Sequence, residues 1–109
     1  MVARMPAVVK LDRHEARKTD ARTFWKVATE RGEMTVEEAV RAGLLKPLFS
    51  TFSGGKTHWE EYYEVASPEV TLVRVRITNR GNLDTRKFTP TALAVSEKEI
   101  EKVKAALDP

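Results

Sequence analysis

Two consecutive runs of strand-forming residues constrain this chain more than any other feature of its sequence. Residues 57–65 and 70–79 are rich in β-branched and aromatic side chains, and the turn-forming segment Ser67-Pro68-Glu69 separates them. We expect the two runs to pair as an antiparallel hairpin. The register that a three-residue loop would give has the opposed pairs Trp59–Ile77, Glu60–Arg76, Glu61–Val75, Tyr62–Arg74 and Tyr63–Val73. It leaves Glu61 as a charged residue on a mostly apolar face.

Helices are predicted before this hairpin. Residues 12–31 form a polar run that contains no Gly or Pro and has its apolar members in the second half, which indicates a long helix ended by Gly32. The segment Thr35–Glu38 has the capping-box pattern, in which a Thr hydroxyl and a Glu carboxylate satisfy each other's backbone amides. It predicts a short helix from Val36 to Ala42, ended by Gly43 in a left-handed conformation.

Weaker patterns flank these elements. Residues 7–11 are predicted to form a first strand, 79–90 a surface loop, and 91–95 a third strand or an extended segment. A second capping-box pattern at Ser96–Glu99 predicts a final helix with one apolar face, made of Ile100, Val103 and Leu107. The whole chain is predicted to be a single domain, 1–109, with flexible ends at 1–6 and 108–109.

This order of elements predicts an α+β fold: a helix-turn-helix-like N-terminal half, then an antiparallel hairpin, then a C-terminal helix. Over residues 20–81 the chain resembles in outline a winged helix-turn-helix domain. The resemblance implies that residues 44–53 take the place of the DNA-reading helix and that the hairpin is the wing that contacts phosphate.

Composition excludes several classes of protein. The 109 residues include no Cys, so disulfides, thiol nucleophiles and Cys-ligated zinc are excluded. A hydrophobic content of 41% supplies one core and not two. No segment has the apolar length of a signal-peptide core or a membrane span, so we expect a cytoplasmic protein without membrane contact.

No motif in the sequence assembles a catalytic or metal site. Ser53-Gly54-Gly55-Lys56-Thr57 ends like a phosphate-binding loop, but Ser50 stands where that motif needs its first Gly. His14 and His58 are distant in sequence, and neither has a second imidazole three or four residues away. We therefore expect no catalytic residue, no metal, no cofactor and no enzymatic activity.

Basic residues point to nucleic acid. The net charge is +3, and residues 67–90 carry five basic side chains against two acidic ones. The leading hypothesis is a small non-enzymatic nucleic-acid-binding or transcription-associated domain that contacts phosphate electrostatically. The residues expected to bind are Arg74, Arg76, Arg80, Arg86, Lys87, Lys46 and Lys56. Trp59, Tyr62 and Tyr63 also suggest a base-stacking platform, but the expected register places Trp59 and Tyr63 in the core.

A protein-interaction module is the alternative hypothesis, as an adaptor or an inhibitor of a larger cytoplasmic machine. Its contact would be the apolar segment Leu44–Phe49 or the edge of the hairpin, and it requires an exposed apolar cluster. Because isolated two-stranded hairpins are only marginally stable, residues 7–11, residues 91–95 or a second copy of the chain in a homodimer would complete the sheet.

Overall fold

The computed structural model describes residues 7–16, 18, 21–53, 57–67 and 69–107, and these form a mostly antiparallel β protein. The flexible ends predicted at 1–6 and 108–109 lie outside the described residues. The elements in chain order are β1 (Ala7–Glu15), β2 (Arg22–Thr29), β3 (Gly32–Thr35), α1 (Val36–Arg41), β4 (Leu45–Ser53), β5 (His58–Val65), β6 (Thr71–Ile77), β7 (Leu83–Phe88), α2 (Pro90–Leu93) and α3 (Glu97–Leu107).

The predicted long helix over residues 12–31 is wrong. The end of β1, a connecting segment and β2 occupy this stretch. In β2 the buried residues are Thr23, Trp25 and Val27, which recur at every second position as in a strand with one covered face. A run without Gly or Pro is compatible with a helix or a strand. The alternation of buried and less buried residues at every second position indicates the strand.

The winged helix-turn-helix resemblance, and with it the α+β fold class, is also wrong. Residues 44–53 were expected to take the place of the DNA-reading helix, but 45–53 form the edge strand β4. Pro47 fits an edge because an edge strand has backbone groups without a ladder partner, and the register with β5 shifts between Pro47 and Phe49. Within the described residues, α1 is followed by a strand and not by the second helix of a helix-turn-helix.

The predicted hairpin contains two real strands that do not pair with each other. All ladders are antiparallel, and the strand order is β4-β5-β1-β2-β6-β7, with β3 paired to β2. β5 therefore lies between β4 and β1, while β6 lies between β2 and β7. Pairing with distant strands is favoured because it buries apolar partners on both sides, such as Val9 opposite Tyr63 and Val27 opposite Leu72. The register predicted for the hairpin is consequently wrong.

The sheet divides into two wings at the junction of β1 and β2. These strands pair only at His14–Thr23 and Glu15–Arg22, and farther along β2 pairs with β3 instead. We call β4, β5 and β1 the first wing, and β2, β6 and β7 the second wing. A cleft lies at the end where the wings meet, and the paired residues of β1 and β2 are among those that line it.

One hydrophobic core joins the wings. Leu11 of the first wing and Leu72 of the second are fully buried in the same cluster, and Val36 and Ala39 of α1 complete it. The predicted capping box of α1 is confirmed, since the Thr35 hydroxyl accepts from the Glu38 amide at 3.0 Å and the Glu38 carboxylate accepts from the Thr35 amide at 2.9 Å. Gly43 has the predicted left-handed conformation, with φ +79°.

The remaining predicted elements are confirmed in part. The first strand and the final helix are confirmed as β1 and α3, whereas half of the predicted loop over 79–90 is the strand β7. Residues 91–95 do not form a regular third strand: they contribute part of α2 and a single bridge between Ala94 and Val9. Among the described residues, no helix has the length and apolar character needed to cross a membrane.

Candidate nucleic-acid interface

Three arginines share one face of the second wing. The register of β6 and β7 places Arg74 opposite Arg86 and Arg76 opposite Asp84. On its other side β6 pairs with β2, which places Trp25 opposite Arg74 and Thr23 opposite Arg76. Opposed residues of an antiparallel pair project to the same side of the sheet, so these side chains lie together.

The turn between β6 and β7 presents a fourth arginine next to this face. The Gly81 amide donates to the Thr78 carbonyl at 2.9 Å, and the Thr78 amide donates to the Asn82 carbonyl at 3.0 Å. Gly81 has φ +81°, a conformation that disfavours any residue with a side chain. Arg80 is exposed at the tip of this turn. We call Arg74, Arg76, Arg80 and Arg86 the arginine surface.

Most of the charge on the arginine surface has no protein partner. Arg86 Nε lies 3.7 Å from Asp84 Oδ2, and both side chains are well exposed. The Arg74 guanidinium lies 5.3 Å from the centre of the Phe88 ring, within cation–π range. Among the described residues, no carboxylate oxygen lies within 4.0 Å of a side-chain nitrogen of Arg74, Arg76 or Arg80.

The remaining residues of the predicted site are not part of this surface. Lys87 lies opposite Val73, on the other face of β6 and β7. Lys46 is exposed on β4, opposite Glu64 and at the far edge of the sheet. Lys56 and the two preceding glycines, Gly54 and Gly55, lie outside the described residues. The structure therefore aligns three of the seven predicted binding residues on one face, and a fourth, Arg80, is exposed on the turn that joins their strands.

In the first wing, two hydrogen bonds and an ion pair surround the carboxylate of Glu61. Glu61 accepts hydrogen bonds from Trp59 Nε1 at 3.2 Å and from the Tyr63 hydroxyl at 3.0 Å. Arg13 Nε lies 3.0 Å from the same carboxylate, an ion pair whose angles do not make a hydrogen bond. Burial raises the pKa of the Tyr63 hydroxyl, and the nearby Glu61 carboxylate raises it further. Glu61, the misfit of the predicted hairpin, is the centre of this network.

On the other face of the first wing, Lys10 forms ion pairs with two carboxylates. Its Nζ lies 3.4 Å from a Glu60 oxygen and 3.5 Å from a Glu99 oxygen of α3. Burial acts to lower the pKa of Lys10, but the two carboxylates raise it by more. The predicted pairing of Glu60 with Arg76 is therefore wrong.

The two histidines meet although they are distant in sequence. Because β1 pairs with β5, His14 lies opposite His58, and their rings stack with centroids 4.1 Å apart and an interplanar angle of 10°. The described residues contain no group of three His, Asp or Glu side chains that could hold a metal ion.

The cleft between the wings was not anticipated from the sequence. It has a volume of about 220 Å³ and is lined by Arg13, His14, Glu15, Arg22, Thr23, Phe24 and Trp59. Thr23 connects it to the arginine surface, since Thr23 is the partner of Arg76 across the β2–β6 ladder. The alternation along β5 indicated that Trp59 and Glu61 share a face, but the approach of β1 and β2 depends on long-range pairing.

The segment Leu44–Phe49, the contact of the alternative hypothesis, is largely covered. Leu45 is buried and Leu44 packs against the core. Phe49 stacks on Tyr62 with ring centroids 4.6 Å apart. The exposed apolar cluster on which a protein-interaction module depended is therefore not found in this segment.

Comparison with known proteins finds no match: no family model, no curated protein and no solved structure is significantly similar to this chain. The functional argument consequently rests on the geometry of the arginine surface and the cleft.

Proposed function

We propose that this chain is a small, non-enzymatic nucleic-acid-binding domain that holds the phosphate backbone on the arginine surface. The observation that carries the proposal is the pairing of β6 with β7, which aligns Arg74, Arg76 and Arg86 on one face beside a turn that presents Arg80. Guanidinium groups match phosphate in geometry, and a row of them matches a chain of phosphates better than it matches one isolated anion.

The lack of ion pairs supports the same proposal. The other well-placed cations, Arg13 and Lys10, are engaged by carboxylates, whereas Arg74, Arg76 and Arg80 have none within the described residues. A ligand that binds the second set does not have to displace an internal partner. Its affinity should be governed by the release of counterions, and it should fall as salt rises.

The test is fluorescence anisotropy with a labelled 20-nucleotide single-stranded RNA at 50 and 150 mM salt. The parent is compared with the variant Arg74→Gln/Arg76→Gln/Arg80→Gln. The matched control is Arg41→Gln/Lys98→Gln/Lys102→Gln, which removes the same charge from exposed positions on α1 and α3. We expect the first variant to bind at least about tenfold more weakly at 50 mM salt and the control to stay within about twofold of the parent.

Two results would overturn the proposal. If the parent does not bind at 50 mM salt, the arginine surface is not a nucleic-acid site. If both triple variants weaken binding equally, the affinity follows net charge and not this surface.

A further inference from the structure

A row of three side chains crosses the first wing beside the cleft. Phe52 of β4 lies opposite Trp59 of β5, and Trp59 lies opposite Arg13 of β1. Three side chains that are opposed in this way project from the same face of adjacent strands. We call Phe52, Trp59 and Arg13 the aromatic row.

The aromatic row is exposed where comparable side chains are covered. Phe52 is 73% exposed, more than any other large hydrophobic side chain among the described residues, and Trp59 is half-buried at the mouth of the cleft. Tyr62 and Tyr63, which follow on the same strand, are buried. A single exposed aromatic ring is common on protein surfaces, but two in one cross-strand row form an apolar platform beside a cleft.

Trp59 is also held in place before any ligand binds. Its indole N–H donates to Glu61, which is itself fixed by Tyr63 and by the charge of Arg13. A ring fixed in this way loses little rotational freedom when a planar ligand stacks on it, so more of the contact energy appears as affinity.

The charge of the cleft favours a neutral group over a phosphate. Arg13 is paired with Glu61, and the positive charge of Arg22 is matched by the negative charge of Glu15, also a lining residue. The volume of about 220 Å³ is below the range of drug-sized ligands and suits one planar heterocycle. Thr23, a lining residue of the cleft, lies opposite Arg76 of β6.

We propose that the aromatic row and the cleft receive an unpaired nucleobase, so that the chain takes single-stranded rather than duplex nucleic acid. This inference rests on the proposed function, because the arginine surface supplies the backbone contacts. Bases in a duplex are stacked on each other and paired, so only a single strand presents a base to Phe52 and Trp59. The arrangement differs from the platform considered from the sequence, in which Tyr62 was the exposed ring.

The experiment measures affinity for three probes of equal length: a single-stranded RNA, the same strand with abasic sites in place of its bases, and an RNA duplex. The variant is Phe52→Ala, at a position too exposed to support the fold, and Phe52→Tyr is the conservative variant. The control is Leu83→Ala, which removes the other strongly exposed apolar side chain, 68% exposed on the opposite edge strand.

We expect Phe52→Ala to bind the single strand about tenfold more weakly, the effect of losing one stacked base. Phe52→Tyr and Leu83→Ala should stay within about twofold of the parent. The parent should bind the abasic strand at least about tenfold more weakly than the intact strand, and Phe52→Ala should distinguish the two less than the parent does, because only Trp59 remains to stack on a base.

The experiment separates a failure of the proposed function from a failure of this inference alone. If the parent binds none of the probes, the proposed function fails together with this inference. If the parent binds all three probes equally and Phe52→Ala binds as the parent does, backbone binding stands and the aromatic row is not a base site. If ultracentrifugation shows a dimer that Phe52→Ala converts to a monomer of unchanged RNA affinity, the row is covered by a second copy and the inference is wrong.

Discussion

The two wings of the sheet differ in how two sets of basic residues are paired: Arg13 and Lys10 in the first wing, and the arginine surface in the second. In the first wing, Arg13 and Lys10 each lie within 3.5 Å of a carboxylate oxygen, and their side chains are partly covered. In the second wing, Arg74, Arg76 and Arg80 have no such partner among the described residues, and Arg86 has a distant, exposed one. Both wings contribute to one core, so the difference is not one between a folded and an unfolded region.

This contrast separates charges that serve the fold from charges available to a ligand. A partly buried cation must be paired, because removing it from water costs free energy that a carboxylate has to offset. An exposed cation such as Arg76 or Arg80 has no such requirement and contributes little to stability. The half-buried Arg74 has the Phe88 ring beside it instead of a carboxylate. Substitutions in the first wing should therefore affect unfolding, and substitutions on the arginine surface should affect binding.

The largest expected effect concerns the core that the wings share. Leu72 is fully buried in it, so Leu72→Ala should lower the free energy of unfolding by about 3 kcal/mol. Urea denaturation followed by the fluorescence of Trp59 and Trp25, one in each wing, should give a single transition. Leu83→Ala, at an exposed position, should change stability by less than about 0.5 kcal/mol. Two separate transitions in the parent would show that the wings are independent units.

The next effect is specific to the first wing. Glu61→Ala leaves Arg13 without its partner and two donors, Trp59 Nε1 and the Tyr63 hydroxyl, without an acceptor. We expect a loss of about 2 kcal/mol in urea denaturation. Arg76→Ala, at an exposed position, should lower the free energy of unfolding by less than about 0.5 kcal/mol. Equal losses in the two variants would remove the distinction between the wings.

The smallest expected effect is a loss of folding stability at alkaline pH, and it also concerns the first wing. Burial and the Glu61 carboxylate raise the pKa of Tyr63 above the value near 10 of an unfolded chain. Between these two values the unfolded chain loses the Tyr63 proton first, so folding stability is full below about pH 10 and falls as the pH rises further.

Tyr63→Phe should reduce this fall by about 1 kcal/mol between pH 10 and 11 in urea denaturation. It should not abolish the fall, because the pKa values of Tyr62 and Lys10 are also raised and their contributions are lost in the same direction. An unchanged pH profile in Tyr63→Phe would show that its hydroxyl is not held as described.

Local chemistry determined what could be foreseen of this fold. The capping box at Thr35–Glu38 and the left-handed Gly43 depend on neighbouring residues, and both were predicted correctly. The long helix failed because residues 22–29 alternate with a period of two, which a composition-based reading missed. The hairpin failed because each of its strands has two other partners, and strand partners at long range leave no mark in a single sequence.

In the candidate site, too, the features set by neighbouring residues were predicted and those set by long-range strand pairing were not. Arg74, Arg76, Arg80 and Arg86 were selected by local charge, and their closeness follows from two strands joined by a short turn. Lys46 was selected by its charge alone, and the sheet places it at the opposite edge. The aromatic row could not be predicted, because it joins residues of β4, β5 and β1 that are up to 46 positions apart in sequence (59 minus 13).

The most direct test of the central claim, that unpaired charge binds and paired charge does not, is the salt dependence of RNA affinity in single variants. The logarithm of the association constant for a single-stranded RNA is plotted against the logarithm of salt concentration for the parent, Arg76→Gln and Lys10→Gln. We expect Arg76→Gln to reduce the slope by about 0.7, the loss of one phosphate contact, and Lys10→Gln to leave it unchanged. Equal reductions in both variants, or no salt dependence in the parent, would contradict the account.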